Sequence, residues 1–103
     1  MFNQLLSNET PGQIQKVSNS FISNDWEVKQ HNIPGAFQAI RKFANGYKMS
    51  VVSGPAGCGL YGDIDKGTYE VAIFRPNGNM TDAVIGWRTE REVCSMEWVL
   101  AKL

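Results

Sequence analysis

The stretch Phe37-Gln38-Ala39-Ile40-Arg41-Lys42-Phe43-Ala44-Asn45-Gly46-Tyr47-Lys48-Met49-Ser50-Val51-Val52-Ser53 admits two readings. In one, Phe37, Ile40 and Phe43 form a helix face that Gly46 closes. In the other, Asn45-Gly46 is a two-residue type I′ turn between strands Phe37–Ala44 and Tyr47–Ser53. That register sets Ile40 opposite Val51 and Ala39 opposite Val52. An Asn-Gly pair between apolar-alternating runs is the strongest short-range hairpin signal, because both residues tolerate positive φ. The hairpin is the preferred reading.

A second Asn-Gly pair, Asn77-Gly78, separates Thr68–Arg75 from Met80–Trp87. Tyr69, Val71 and Ile73 alternate along the first run, and Pro76 suits a strand end beside a turn. No helical period competes there. Upstream, Trp26 and Val28 alternate with Glu27 and Lys29, which predicts a short edge strand. Gln30 to Gly35, with Pro34, reads as a turn.

Two helices flank this β-rich centre. Thr10-Pro11-Gly12-Gln13 reads as a helix start, with Thr10 as cap and Pro11 at the first helical position. Ile14, Val17, Phe21 and Ile22 follow at helical spacing. At the other end, Thr89 and Glu92 make a Thr-x-x-Glu capping box. Val93, Met96, Leu100 and Leu103 form an apolar stripe that Val99 widens. The expected fold class is α+β: an antiparallel sheet of two Asn-Gly hairpins packed against an N-terminal and a C-terminal helix, in one domain over residues 1–103.

Composition narrows the function. The formal net charge is zero, whereas non-specific nucleic-acid binding needs a positive field, so a DNA-coating role is disfavoured. No apolar run has the length of a membrane span, and the first residues lack the pattern of a secretory signal. The expectation is a cytoplasmic protein with Cys58 and Cys94 reduced. Basic residues exceed acidic ones through Ser50 and the reverse holds beyond, a polarity compatible with a homo-oligomer.

Several motifs resemble chemistry and fail on inspection. Gly54-Pro55-Ala56-Gly57-Cys58-Gly59 imitates a phosphate-binding loop, but Leu60 stands where a lysine must reach the phosphates. Tyr61 stands where a small hydroxyl must hold the metal. Gly57-Cys58-Gly59-Leu60-Tyr61-Gly62 matches a dinucleotide fingerprint without the helix that must follow. The segment reads instead as a glycine-rich crossover between hairpins, anchored by Leu60 or Tyr61, with small-ligand or nucleotide sequestration as an alternative.

Asp63 and Asp65 hint at a cation loop. Gly67, Thr68 and Phe74 break the EF-hand pattern at three places. His31 is the only histidine, which leaves no histidine-rich metal site. No catalytic set, metal site or cofactor is expected. The candidate binding residues are Arg41, Lys42 and Lys48, interleaved with Phe43 and Tyr47, together with Tyr61, Asp63 and Asp65. Basic and aromatic interleaving also defines an alternative, single-stranded nucleic-acid binding by the first hairpin. Trp26, Trp87 and Trp98 are expected in the core, with Trp87 partly exposed before the helix cap.

Asn45-Gly46-Tyr47, Ser50-Val51-Val52, the glycine loop, Tyr69-Glu70-Val71-Ala72-Ile73 and Asp82-Ala83-Val84-Ile85-Gly86-Trp87 together resemble small accessory proteins of tailed bacteriophages. The resemblance covers residues 36–103 and favours the hairpin reading. It implies a protein that binds and redirects or inhibits a host protein; together with the lack of a catalytic set, the expectation is a non-enzymatic protein in the host cytoplasm, an inhibitor of a host defence or metabolic component. It carries over no catalytic residue.

Overall fold

The computed structural model describes Ile22 and residues 25–103. The chain forms β1 (Trp26–Gln30), β2 (Phe37–Lys42), β3 (Lys48–Ser53), β4 (Thr68–Phe74), β5 (Ile85–Thr89) and α1 (Glu90–Ala101). The five strands make one antiparallel sheet in chain order. The expected antiparallel sheet and its edge strand at Trp26 are present, with β3 and β4 joining the two hairpins directly. The expected architecture is corrected in its helices: a single helix, at the C-terminal end, covers the sheet among the described residues, and the helix expected after Thr10 lies outside them.

Pleating separates the two faces. Phe37 and Ala39 on β2, Met49 and Val51 on β3, and Tyr69 and Val71 on β4 point to one side and are buried. They meet Val93 and Leu100 of α1 in a single cluster with Trp26 and Phe43. Each fully buried side chain of this kind contributes about 1.5–3 kcal/mol relative to exposure. Gln38, Ile40, Lys42, Lys48, Val52, Glu70 and Phe74 point to the opposite side, where Gln38 donates to Ser50 across the strands at 2.9 Å.

The helix starts as its sequence dictates. Thr89 accepts the Glu92 N–H, and the Glu92 carboxylate accepts the Thr89 N–H in return. That backbone bond, aided by the Arg88 guanidinium, holds the Glu92 carboxyl below the usual carboxylate range. The helix end is tied to the sheet. The Asn45 side-chain amide donates to Leu100 O at 2.8 Å and to Leu103 O at 3.1 Å. The stripe is narrower than expected: Val93 and Leu100 are buried and Met96 half-buried, but Val99 and Leu103 are exposed.

Both Asn-Gly pairs turn the chain, and both use the same three-residue loop. Phe43 N–H donates to Tyr47 O and Gly46 N–H to Phe43 O; Arg75 N–H donates to Asn79 O and Gly78 N–H to Arg75 O. Asn45 and Asn77 each accept from the N–H two residues on. Gly46 and Gly78 have φ of 94° and 91°, whereas neither asparagine has positive φ. This is a type I turn followed by a left-handed glycine, not the expected type I′ turn. The longer loop shifts the β2–β3 register by one residue, so Ala39 faces Val51 and Ile40 faces Ser50.

The strand expected over Met80–Trp87 is also corrected. Met80 bridges to Phe74 and the Thr81 N–H donates to Ile73 O, residues 82–84 leave the sheet, and β5 begins at Ile85. The Arg75 guanidinium holds Met80 O and Thr81 O, and the Asp82 carboxylate takes the Ala83 N–H.

The two loops touch at one end of the sheet. A Cβ on Gly46 would lie 2.9 Å from Pro76 Cβ. Gly46→Ala therefore combines a left-handed φ with a steric clash. It is expected to cost about 1–2 kcal/mol, read as a lower urea midpoint with unchanged slope. Gly78→Ala has the same φ with open space around it and should cost less.

Candidate functional site

The segment between β3 and β4 is built around a short backbone clamp. Gly54 N–H donates to Gly62 O at 3.3 Å and Ile64 N–H donates to Gly54 O at 2.9 Å. Residues 55–61 form an excursion from that clamp. Asp63 closes it: its N–H donates to Thr68 Oγ1, and its carboxylate caps the 3₁₀ turn Ile64–Lys66 by accepting from Asp65 N–H. Asp63 is buried. Its carboxylate is thus committed to the loop's own structure, while Asp65 is exposed.

The excursion returns beside β5. Tyr61 N–H donates to Glu70 Oε1 at 2.9 Å, and Tyr61 O accepts the Trp87 N–H at 2.7 Å. The two rings lie 6.0 Å apart and tilted by 53°. Gly86 makes the approach possible, since a Cβ there would sit 2.7 Å from Tyr61 Cβ. The β4–β5 pairing shifts register between Tyr69 and Val71, opposite the segment that holds Trp87. Among the described residues, Trp87 is the only non-glycine with positive φ, at 58°. Such a backbone costs an L-residue about 1–2 kcal/mol. The surrounding structure holds it there, yet Trp87 is 55% exposed and Tyr61 53%.

The other sequence candidates lie elsewhere. Arg41 points to the core face, where it pairs with Glu97 of α1, lies 3.8 Å from Asp25 and stacks on Phe43. Lys42 and Lys48 are cross-strand partners on the opposite face, with Lys48 Nζ 4.7 Å above the Phe74 ring. Arg41 is therefore separated from the two lysines. Lys48 opens β3 and Ser53 closes it, which puts the lysines and Tyr61 at opposite ends of the sheet. The six candidates do not form one cluster. Sequence reasoning missed Trp87 as Tyr61's partner; the small residue before it, Gly86, was the available signal.

Trp26 is buried, but Trp98 is 65% exposed under the Lys102 ammonium at 4.3 Å, against expectation. His31 Nδ1 accepts the Ile33 N–H at 3.2 Å, a turn-closing bond. Cys58 and Cys94 are free thiols. Burial, Glu90 and Glu97 push the Cys94 thiol up, away from a reactive thiolate. Among the described residues, no group of three or more His, Cys, Asp or Glu side chains is placed to hold a metal. A hollow of about 220 Å³ lined by Asp25, Trp26, Glu27, Ile40 and Lys42 is smaller than the ~300–1,000 Å³ usual for ligand sites. No helix among the described residues is long and apolar enough to cross a membrane. In comparisons with known proteins, the chain matches no family model, no curated protein and no solved structure.

Proposed function

We propose that this chain is a non-enzymatic recognition domain that binds another protein through Tyr61 and Trp87. The observation that carries the reading is the Trp87 backbone. A tryptophan held in a left-handed conformation, more than half exposed and braced by a loop from elsewhere in the chain, is strain retained at a surface. Tyrosine and tryptophan supply large contact area with little side-chain entropy to lose, and they dominate binding hot spots. Trp98 is more exposed but sits on a helix with no positive φ and has a lysine over its ring. The likeness to tailed-phage accessory proteins supplies the setting: a host protein as partner, in the host cytoplasm, with inhibition of a defence or metabolic component as the outcome.

Affinity capture from host lysate, comparing wild type with Trp87→Gly and Tyr61→Ala, tests this. A specific partner should be recovered by the wild type, and each variant should lose about 2 kcal/mol or more of binding, roughly thirtyfold. Trp87→Gly relieves the left-handed strain while losing half-exposed packing. Its thermal stability should therefore change by less than about 1 kcal/mol. A partner retained equally by both variants, or no specific partner at all, defeats the proposal.

A further inference from the structure

The strand β1 lies at the sheet edge opposite β5. Its hydrogen-bonding phase is fixed. His31 N–H donates across to Ala36 O, and the register pairs Lys29 with Gln38 and Glu27 with Ile40 in the same phase. On β2's other side, Phe43 N–H donates to Tyr47 O, as that alternation requires. The backbone groups of Glu27 and Lys29 therefore face β2, and the N–H and C=O of Val28 face away from the sheet. Val28 is 43% exposed, and Glu27, Lys29 and Gln30 are exposed around it. Neither Glu27 nor Lys29 has an ion-pair partner among the described residues.

We propose that β1 is the seam of a homodimer, in which two copies pair antiparallel about a two-fold axis through Val28. That register makes Val28 of each copy exchange N–H···O=C bonds with its counterpart. It sets Glu27 of one copy opposite Lys29 of the other, twice, on the face where both side chains lie. Opposite charges directly across an antiparallel pair stabilise it, and like charges oppose it. The neighbouring registers are worse. An axis through Trp26 sets Asp25 against Glu27, one through Glu27 sets that carboxylate against itself, and one through Lys29 sets ammonium against ammonium. An edge protected against pairing presents charge that repels its own copy. This edge presents charge that attracts it, in one register. The seam is isologous, so it closes at two copies.

A short strand seam belongs to the weak class of interface, with a dissociation constant expected between about 10 μM and 1 mM. Sedimentation equilibrium should show the wild-type mass rising towards that of two chains across this range. Glu27→Lys and Lys29→Glu each create two like-charge pairs and should each weaken self-association at least about tenfold. Mixed with each other, the two variants restore both opposite-charge pairs and should form a heterodimer at wild-type strength. The double variant Glu27→Lys/Lys29→Glu should regain the homodimer. Circular dichroism verifies that each variant is folded. A wild type that stays monomeric to about 1 mM overturns the proposal. So does a dimer insensitive to Glu27→Lys, or a mixture of the single variants that does not associate.

Discussion

Phe37→Ala is expected to lower stability by about 3–5 kcal/mol, the range for emptying a buried aromatic position. Phe37 opens β2 and is fully buried on the core face of the sheet. Its neighbours across the strands are Gln30 of β1 and Ser53 of β3, and its ring meets Tyr69 edge-on at 6.4 Å and 64°. The substitution removes the transfer free energy of the ring, the aromatic pair and the contacts lining the cavity. Domains of this size have about 5–15 kcal/mol in total, so the loss reaches a large part of it. At about 4–8 °C per kcal/mol, the melting temperature should fall by roughly 12–40 °C. Phe37→Leu keeps most of the volume and should cost less than about 1.5 kcal/mol. Urea unfolding of both variants checks this; a Phe37→Ala loss below about 1 kcal/mol would contradict the packing described.

The second large effect is expected at Arg41. Its guanidinium pairs with Glu97 between sheet and helix, and both side chains are mostly removed from solvent. Its Nε is buried without a hydrogen-bond partner. Arg41→Ala strands the Glu97 carboxylate beside the core and should cost about 3–5 kcal/mol. Replacing both partners with apolar residues of similar size, Arg41→Met with Glu97→Leu, removes the buried charges together and should recover most of that loss. A double-mutant cycle measured by urea unfolding isolates the coupling. Equal losses for the single and the apolar double variant would mean that Arg41 acts through its stacking on Phe43 rather than through Glu97.

The elements readable in the sequence were those set by neighbours in the chain. Thr89 and Glu92 announce the start of α1 because a capping box needs four consecutive residues. The Asn-Gly pairs mark the turns for the same reason. Loop length was not readable, because an Asn-Gly pair fits both a two-residue type I′ turn and a type I turn followed by a left-handed glycine, and both loops take the second form. The exposure of Trp98 and Val99 depends on how α1 is rotated against β4 and β5, which their spacing alone does not fix. The candidate site was half visible. Tyr61 was singled out as a loop anchor, but its pairing with Trp87 joins a loop residue to a strand 26 positions on through a backbone bond. Arg41 was misplaced for a plainer reason: adjacent strand residues face opposite sides, so Arg41 and Lys42 never share a surface.

The strand order has a consequence for how the chain closes on itself. Each strand pairs with its sequence neighbour, so the sheet can zip together through short loop closures. The attachments of α1 are different: Asn45 reaches Leu100 across 55 positions and Arg41 reaches Glu97 across 56. By loop-closure entropy, joining ends that far apart in an otherwise unfolded chain costs about 2.5 kcal/mol more than closing a three-residue hairpin. Once β5 has paired, α1 follows directly from Thr89 and that cost has already been met, so the helix docks after the sheet, and its contacts with Arg41 and Asn45 form last.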